Sequence, residues 1–150
     1  IYAKGPNIML GYWRQKELTD KAIVDGWMKT GDGAKMDEDG YVFIVDRVKD
    51  MIISGGLNIY PKEVETFIDE IDGVNESAVI GLKDDDFGEK VVAIVVLDEK
   101  SDLKEAEIIN LAKESIAGFK VPKEVIFINE LPRNAMGKVQ KNILRDLYKS

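Results

Sequence analysis

The 150-residue sequence contains no cysteine and no histidine. Disulfides, thiol chemistry and Cys/His metal sites are therefore excluded, and so is catalysis by Ser-His-Asp or Cys-His groups. The absence of cysteine fits a reducing compartment, so we expect a cytoplasmic protein. The sequence also has no apolar run of the ~20 residues that a transmembrane segment needs.

Basic residues are outnumbered, with 21 Lys and Arg against 28 Asp and Glu, which leaves a formal net charge of −7. A surface of that sign repels nucleic acid and anionic membranes, so we expect neither as a partner. The length, with 45% hydrophobic residues, is sufficient for one ordinary core and a smaller attached piece. Because Ile1 is not a start methionine, we expect the chain to be a fragment of a longer protein.

The hydrophobic pattern predicts an α+β fold with a small three-stranded sheet flanked by helices. Strands are predicted at residues 77–82, 91–97 and 125–128, and helices carry the apolar stripes within residues 64–71, 108–116 and 143–148. The stretch YVFIVDRVKDMIIS, from Tyr41 to Ser54, predicts two short strands around a charged turn at residues 46–50, and therefore a short β-hairpin before the sheet. Residues 1–45 show turns, short strands and several aromatic residues, with little nearby core for those aromatics to pack on.

Two stretches contain residues suited to binding a nucleotide. In GWMKTGD, Asp32 follows a Thr-Gly turn, and its two oxygens match the two hydroxyls of a ribose; a plain Asx turn is the alternative. In DRVKDMIISGGLNIYPKEVE, Arg47 and Lys49 project from a turn between strands. Gly55 and Gly56 then allow either the close approach of a ligand or a positive φ. The alternative here is a charged hairpin tip followed by a glycine turn.

A third stretch, LPRNAMGKVQK, places Lys138 on a flexible loop after Pro132 and Gly137. Its Gly-Lys pair lacks the spacing of a P-loop, which needs a glycine five residues earlier and a Ser or Thr afterwards. An ammonium group is nevertheless a compact charge that suits phosphate or carboxylate oxygens. The alternative is a solvated lysine near a helix start, where the helix dipole does not favour it.

In this order, these three stretches and GPNIMLGYW near the N-terminus resemble the C-terminal part of the adenylate-forming superfamily. That superfamily includes acyl-CoA synthetases, firefly luciferase and peptide-synthetase adenylation domains. The similarity runs the full length of the chain, and SGGLNIYPKEVE and PRNAMGKVQKNIL look most like fatty-acyl-CoA and malonyl-CoA ligases. It implies that residues 1–45 end a large N-terminal adenylation domain as a β-rich remnant, that residues 46–50 form a hinge, and that residues 51–150 form a mobile C-terminal domain.

The resemblance also implies roles for single residues in ATP chemistry. Members of the superfamily join a carboxylic acid to ATP, release pyrophosphate, and then transfer the acyl group from the acyl-adenylate to CoA. Lys138 would be the catalytic residue that bridges the carboxylate and the α-phosphate. Asp32 would bind the ribose hydroxyls of ATP or AMP, and Arg47 would contact ribose or phosphate.

Further roles concern the motion of the small domain and its contact with CoA. Lys49 occupies the position of the hinge residue, and Gly55 and Gly56 lie on the loop that would face CoA. Two residues depart from the family pattern: Asp46 stands where many relatives have glycine, and Ile53 stands where many have a lysine. The missing lysine removes one expected contact to phosphate or CoA.

The resemblance therefore predicts part of an ATP-dependent acyl-CoA synthetase that acts on a small carboxylic acid, with a fatty acid as the expected substrate. The cofactors would be ATP, CoA and Mg²⁺, with Mg²⁺ bound by the N-terminal domain, which would be this chain's main partner; this chain itself is expected to bind no metal. A malonyl-CoA or other short-chain acid ligase is one alternative, and a luciferase-like or carrier-protein ligase is another. A non-catalytic regulatory module that binds a nucleotide or CoA is the alternative of a different class. The isolated fragment is expected to be inactive.

Overall fold

The computed structural model describes residues 1–149, and the chain divides into two compact units, Ile1–Lys49 and Asp50–Ser150. Helices and mixed strand pairings occur together, so the predicted α+β class is confirmed. The boundary between the units falls within residues 46–50. The assignment of the two units to a large domain and a mobile domain stays a prediction.

The first unit consists of short strands and one short helix. Its elements are β1 (Tyr2–Ala3), α1 (Lys16–Ala22), β2 (Ile23–Val24), β3 (Trp27–Lys29), β4 (Asp32–Met36) and β5 (Val42–Arg47). The strands form two antiparallel groups, β1-β3-β2 and β4-β5. None of the side chains described in this unit is buried, and Trp13, Tyr41 and Ile44 are largely exposed. The unit therefore lacks a hydrophobic core of its own, as its sequence predicted.

The second unit contains the core of the chain. Its elements are β6 (Ile52–Ser54), β7 (Leu57–Ile59), α2 (Pro61–Asp69), β8 (Val74–Asp84), β9 (Gly88–Leu97), α3 (Glu105–Ser115), β10 (Glu124–Phe127) and α4 (Lys141–Leu147). Antiparallel pairing joins β8 to β9, and parallel pairing joins β9 to β10. The predicted strands and helices of this unit are therefore present, with β8 and β9 longer than the sequence indicated.

The central strand β9 is covered on both faces, which explains its continuous apolar sequence. Val91, Ala93 and Val95 belong to one buried cluster, together with side chains of α2 and α3. Val92, Ile94 and Val96 belong to a second cluster, which includes Leu131 and Leu144. Alternate side chains of a strand point to opposite faces, so one strand contributes to two hydrophobic layers.

The sheet has five strands rather than the predicted three, because a hairpin joins it. In that hairpin β6 pairs with β7, and Ser54 pairs with Gly88 at the start of β9. The predicted pairing across residues 46–50 is wrong: β5 pairs with β4, and β6 pairs with β7. A short 3₁₀ turn, Val48–Asp50, separates β5 from β6. The reversal occurs instead at Gly55 and Gly56, which adopt the positive φ angles that a tight hairpin turn needs.

No helix within residues 1–149 is long and apolar enough to cross a membrane. The longest helix described, α3, has 11 residues.

Candidate functional site

Asp32 and Arg47 are brought together in the first unit, because they are directly opposite each other on paired strands β4 and β5. Arg47 Nε lies 2.9 Å from Asp32 Oδ1, and the two side chains are 52% and 25% exposed. Arg47 Nη2 also reaches the carbonyl oxygen of Thr30 at 3.5 Å. A cation and a carboxylate thus share one partly open surface, which suits a ligand with hydroxyl groups and negative charge.

Lys49 lies in the 3₁₀ turn at the end of the first unit. Its two neighbours are each held within their own unit. The N–H of Val48 donates to the carbonyl oxygen of Gly31 at 2.9 Å, and Asp50 Oδ1 accepts from Arg145 Nη2 at 2.9 Å. Lys49 is therefore the residue between two anchored positions. Its role as a hinge stays a prediction.

Gly55 and Gly56 form the tip of the segment Ile52–Ile59, which we call the glycine hairpin. Their φ angles are +57° and +79°, the combination of a type I′ turn. A β-carbon added at Gly55 would meet Phe87 Cδ1 at 3.3 Å, whereas one added at Gly56 would meet nothing within 4 Å. The turn therefore requires positive φ at both positions, and the open side at Gly56 leaves room for a ligand.

Two residues beside the glycine hairpin were not singled out from the sequence. The N–H of Gly55 donates to the carbonyl oxygen of Phe87 at 2.9 Å, and Lys123 Nζ lies 5.9 Å from the centre of the Phe87 ring. Phe87 is about half exposed. An exposed aromatic ring with a cation above it can stack on a base and neutralise a phosphate. Phe87 follows a run of aspartates that signals only a turn, so no sequence pattern identified it.

Lys138 lies on a tight hairpin, Arg133–Val139, which we call the lysine hairpin. An antiparallel bridge joins Arg133 to Val139, and the Oδ1 atom of Asn134 accepts from the N–H groups of Met136 and Lys138, both at 3.0 Å. The expected flexible loop is therefore an internally hydrogen-bonded hairpin. The side chain of Lys138 is exposed, and its ammonium has no ion-pair partner in the part of the chain that the structure describes.

The glycine hairpin and the lysine hairpin join opposite ends of the β8–β9 pair. The first is attached where Ser54 pairs with Gly88. The second is attached by an ion pair from Arg133 to Glu76, and Glu76 is opposite Val96. Gly88 and Val96 are eight residues apart on β9, which at roughly 3.3 Å per residue separates the two attachments by about 26 Å. The glycine hairpin and the Arg133 leg of the lysine hairpin are therefore attached at different places on the sheet.

A buried ion pair lies at the base of the lysine hairpin. Glu65 Oε1 accepts from the N–H of Val79 at 2.8 Å, and Lys141 Nζ lies 2.6 Å from the same oxygen. The sequence did contain a signal for it, because Glu65 has helical spacing with the apolar residues Pro61 and Ile68. Among residues 1–149, no cluster of three or more acidic side chains is arranged to hold a metal ion.

Comparison with known proteins gives consistent matches. Residues 63–138 match the family of the AMP-binding enzyme C-terminal domain. The chain is 50% identical over 147 residues to 3-[(3aS,4S,7aS)-7a-methyl-1,5-dioxo-octahydro-1H-inden-4-yl]propanoyl:CoA ligase of Rhodococcus jostii, covering 97% of this chain and 28% of that protein. It is 44% identical over 148 residues to the long-chain-fatty-acid–CoA ligase FadD13 of Mycobacterium tuberculosis, covering 99% of this chain and 29% of that protein.

Solved structures agree with these matches. The crystal structure of ATP-bound MatB from Rhodopseudomonas palustris is 52% identical and superimposes with a TM-score of 0.91, over 98% of this chain and 29% of that chain. The chain thus spans less than a third of the length of the relatives named here.

Proposed function

Because the chain belongs to the family of the AMP-binding enzyme C-terminal domain, we propose that it is the C-terminal part of an ATP-dependent acyl-CoA ligase. In the first half-reaction, a carboxylate attacks the α-phosphorus of ATP, the acyl-adenylate forms and pyrophosphate leaves. In the second, the CoA thiol attacks the acyl carbon, the thioester forms and AMP leaves. The N-terminal adenylation domain of the same protein would supply the phosphate loop and the acyl pocket. It would also hold Mg²⁺, and we place the whole enzyme in the cytoplasm.

One observation carries this proposal: the glycine hairpin and the Arg133 leg of the lysine hairpin join opposite ends of the β8–β9 pair, about 26 Å apart at roughly 3.3 Å per strand residue. Loops attached at different places on the sheet suit two separate reaction steps. A domain that turns between two half-reactions uses each loop in its own step. Lys138 would serve adenylation, and the glycine hairpin would serve thioester formation.

The charge of Lys138 suits the first half-reaction. Adenylation brings a carboxylate against a phosphate, and these two anions repel each other. A cation between them offsets the repulsion, and at ~4 Å in an effective dielectric of ~20 each contact contributes about 4 kcal/mol before desolvation. Since the ammonium of Lys138 has no ion-pair partner within residues 1–149, it needs no prior release from the protein to reach these oxygens.

Asp32 and Arg47 suit the ribose and phosphate of ATP or AMP. Asp32 uses Oδ1 for Arg47, and a carboxylate has enough lone pairs to accept two ribose hydroxyls as well. The pairing across β4 and β5 would hold the carboxylate in a defined orientation. Arg47, which is half exposed, would keep donors for a phosphate oxygen.

The glycine hairpin, with Phe87 and Lys123, suits CoA. The turn at Gly55 and Gly56 presents backbone rather than side chains, so a narrow chain such as pantetheine could approach closely. Phe87 would stack on the adenine, and Lys123 would neutralise a CoA phosphate. In this arrangement Lys123 would supply, from beside the glycine hairpin, a positive charge that Ile53 does not provide.

For the acid, we propose a fatty acid, with malonate or another short-chain acid as the alternative. The two relatives described above share 50% and 44% identity with this chain although their names specify dissimilar acyl groups. Identity to this chain therefore does not follow the acyl group, and the acyl pocket would lie in the N-terminal domain. The test is pyrophosphate release by the full-length protein with acids from acetate and malonate to long-chain fatty acids, followed by addition of CoA.

Residues 1–150 alone are the control and should show no turnover, since they lack the phosphate loop and the acyl pocket. ATP or CoA binding by the full-length protein without pyrophosphate release, for every acid tried, would favour the non-catalytic module instead. Turnover by the isolated residues 1–150, free of contaminating ligase, would contradict the assignment of this chain to the small domain.

A further inference from the structure

A carboxylate interrupts the apolar stripe of α2. Pro61, Val64 and Ile68 of that stripe are buried, and Glu65 between them is only 6% exposed. Its Oε1 atom accepts from the N–H of Val79 on the outer edge of β8 and lies 2.6 Å from Lys141 Nζ. The buried ion pair therefore connects α2, β8 and the first residue of α4.

Stability alone does not explain this ion pair. A buried carboxylate and a mostly buried ammonium lose much of their hydration, and an apolar pair of the same size is often at least as stable. Lys141 is also the first residue of α4, where the helix dipole disfavours a cation. The helix has two other attachments, the buried side chain of Leu144 and the ion pair from Arg145 to Asp50.

The position of the pair suggests another role, because Lys141 follows Lys138 by three residues. The other leg of the lysine hairpin is fixed to the same strand, since Arg133 forms an ion pair with Glu76 of β8. Arg133 Nη1 also donates to the carbonyl oxygen of Gly137 at 2.7 Å. One leg is thus attached to β8 through Arg133 and Glu76, and the other is attached to α2 through Lys141 and Glu65, which in turn accepts from the N–H of Val79 on β8. Lys138 lies between the two attachments.

We propose that Glu65 is a positioning residue that orients Lys138 by holding Lys141 at the base of the lysine hairpin. The inference rests on the proposed role of Lys138 in adenylation. A preorganised charge is effective because it needs no reorganisation during the reaction. A displacement of ~1 Å can lower the rate by about 10²-fold, so a loosened hairpin leg would impair adenylation without removing the ammonium.

The test uses Glu65→Gln in the full-length protein, because glutamine keeps the size and an acceptor for the Val79 N–H but removes the charge. Adenylation should fall roughly 10- to 100-fold, while thioester formation from supplied acyl-AMP stays within about twofold. In a Lys138→Ala background, Glu65→Gln should cause no further loss of adenylation. Glu63→Gln is the matched control, since it removes the ion pair to Lys120 from the same helix; it should leave both half-reactions unchanged.

A second pair of variants covers the case in which Glu65→Gln does not fold. Lys141→Met removes the ion pair from the other side and should lower adenylation selectively. Lys141→Arg keeps the charge and donors and should restore most of the rate. Equal losses in both half-reactions, or losses that add to those of Lys138→Ala, would overturn the proposal, because they indicate a general structural defect.

Amide hydrogen exchange separates this proposal from the proposed function. In the full-length protein, the peptide covering residues 133–140 should exchange faster in Glu65→Gln than in wild type, and should not change in Glu63→Gln. A wild-type protein that adenylates no acid refutes the ligase activity, yet exchange still reports whether Glu65 holds the hairpin. Unchanged exchange in Glu65→Gln would overturn the positioning role, whatever the activity.

Discussion

Replacement of Lys138 by alanine in the full-length protein should impair function without weakening the fold. The side chain is exposed and its ammonium has no ion-pair partner within residues 1–149. Its main-chain bonds survive truncation: the N–H donates to Asn134 Oδ1 at 3.0 Å, and the carbonyl oxygen accepts from the N–H of Asn134 at 2.9 Å. We therefore expect the free energy of unfolding to change by no more than about 0.5 kcal/mol.

The expected kinetic effect of Lys138→Ala is much larger. Removing one preorganised charge stabiliser from a reaction centre typically lowers the rate by roughly 10²- to 10³-fold, or about 2.7–4 kcal/mol. Lys138 would stabilise the negative charge that builds up where the carboxylate meets the phosphate, and this stabilisation is strongest in the transition state. The kcat should therefore fall more than KM rises. Thioester formation should be largely spared, because Lys138 would leave the reaction centre before that step.

The assay measures the two half-reactions separately, as ATP–pyrophosphate exchange and as conversion of supplied acyl-AMP to acyl-CoA. Lys100→Ala, another exposed lysine of the second unit, controls for the loss of one positive charge. Equal losses in both half-reactions would point to a folding or docking defect. A loss confined to thioester formation would refute the reasoning, because it would place Lys138 in the other conformational state.

Three further predictions concern the junction, the glycine hairpin and the order of the chain. Lys49→Pro should slow the change between the domain conformations of the two half-reactions more than it weakens ATP binding, because proline fixes φ between two anchored neighbours. Wild-type rates in both half-reactions and in overall turnover would show that Lys49 is not the hinge. Gly56→Ala should destabilise the turn by roughly 1–2 kcal/mol, because alanine disfavours φ of +79°. It should slow thioester formation more than pyrophosphate exchange, and equal effects would contradict a contact with CoA. Amides of residues 91–97 should exchange far more slowly than those of residues 1–20, since only the former lie in a buried strand; uniform protection in the isolated chain would contradict the lack of a core before residue 50.

Local patterns predicted most of the second unit because each of its elements buries a regular stripe. The run from Val91 to Leu97 indicated a strand covered on both faces, and the structure buries its side chains in two layers. The spacing of Val64 and Ile68 likewise predicted α2. Predictions failed where pairing was involved. The two strands around residues 46–50 exist, but β5 pairs with β4 and β6 pairs with β7. The chain reverses after β6 at Gly55 and Gly56, because these glycines adopt the positive φ angles that a tight hairpin turn needs.

For the candidate site, the amino-acid sequence establishes which residue types are available. It excluded cysteine and histidine chemistry, and its ordered motifs singled out Asp32, Arg47 and Lys138 before any contact was known. The residue types of a motif are adjacent in the sequence, so they can be identified from the sequence. Contacts between residues that are distant in the sequence cannot, because they depend on the register of strands and the docking of helices.

Three arrangements depend on the folding of the chain. The register of β4 and β5 sets Asp32 against Arg47, and the long β8–β9 pair separates the attachments of the glycine hairpin and of the Arg133 leg of the lysine hairpin. The docking of α2 and α4 against β8 brings Glu65 to Lys141, 76 residues later in the chain, as a buried ion pair. The physical reason is common to all three: each contact forms only when the sheet and its helices bury their apolar faces, and those faces set where the polar groups meet.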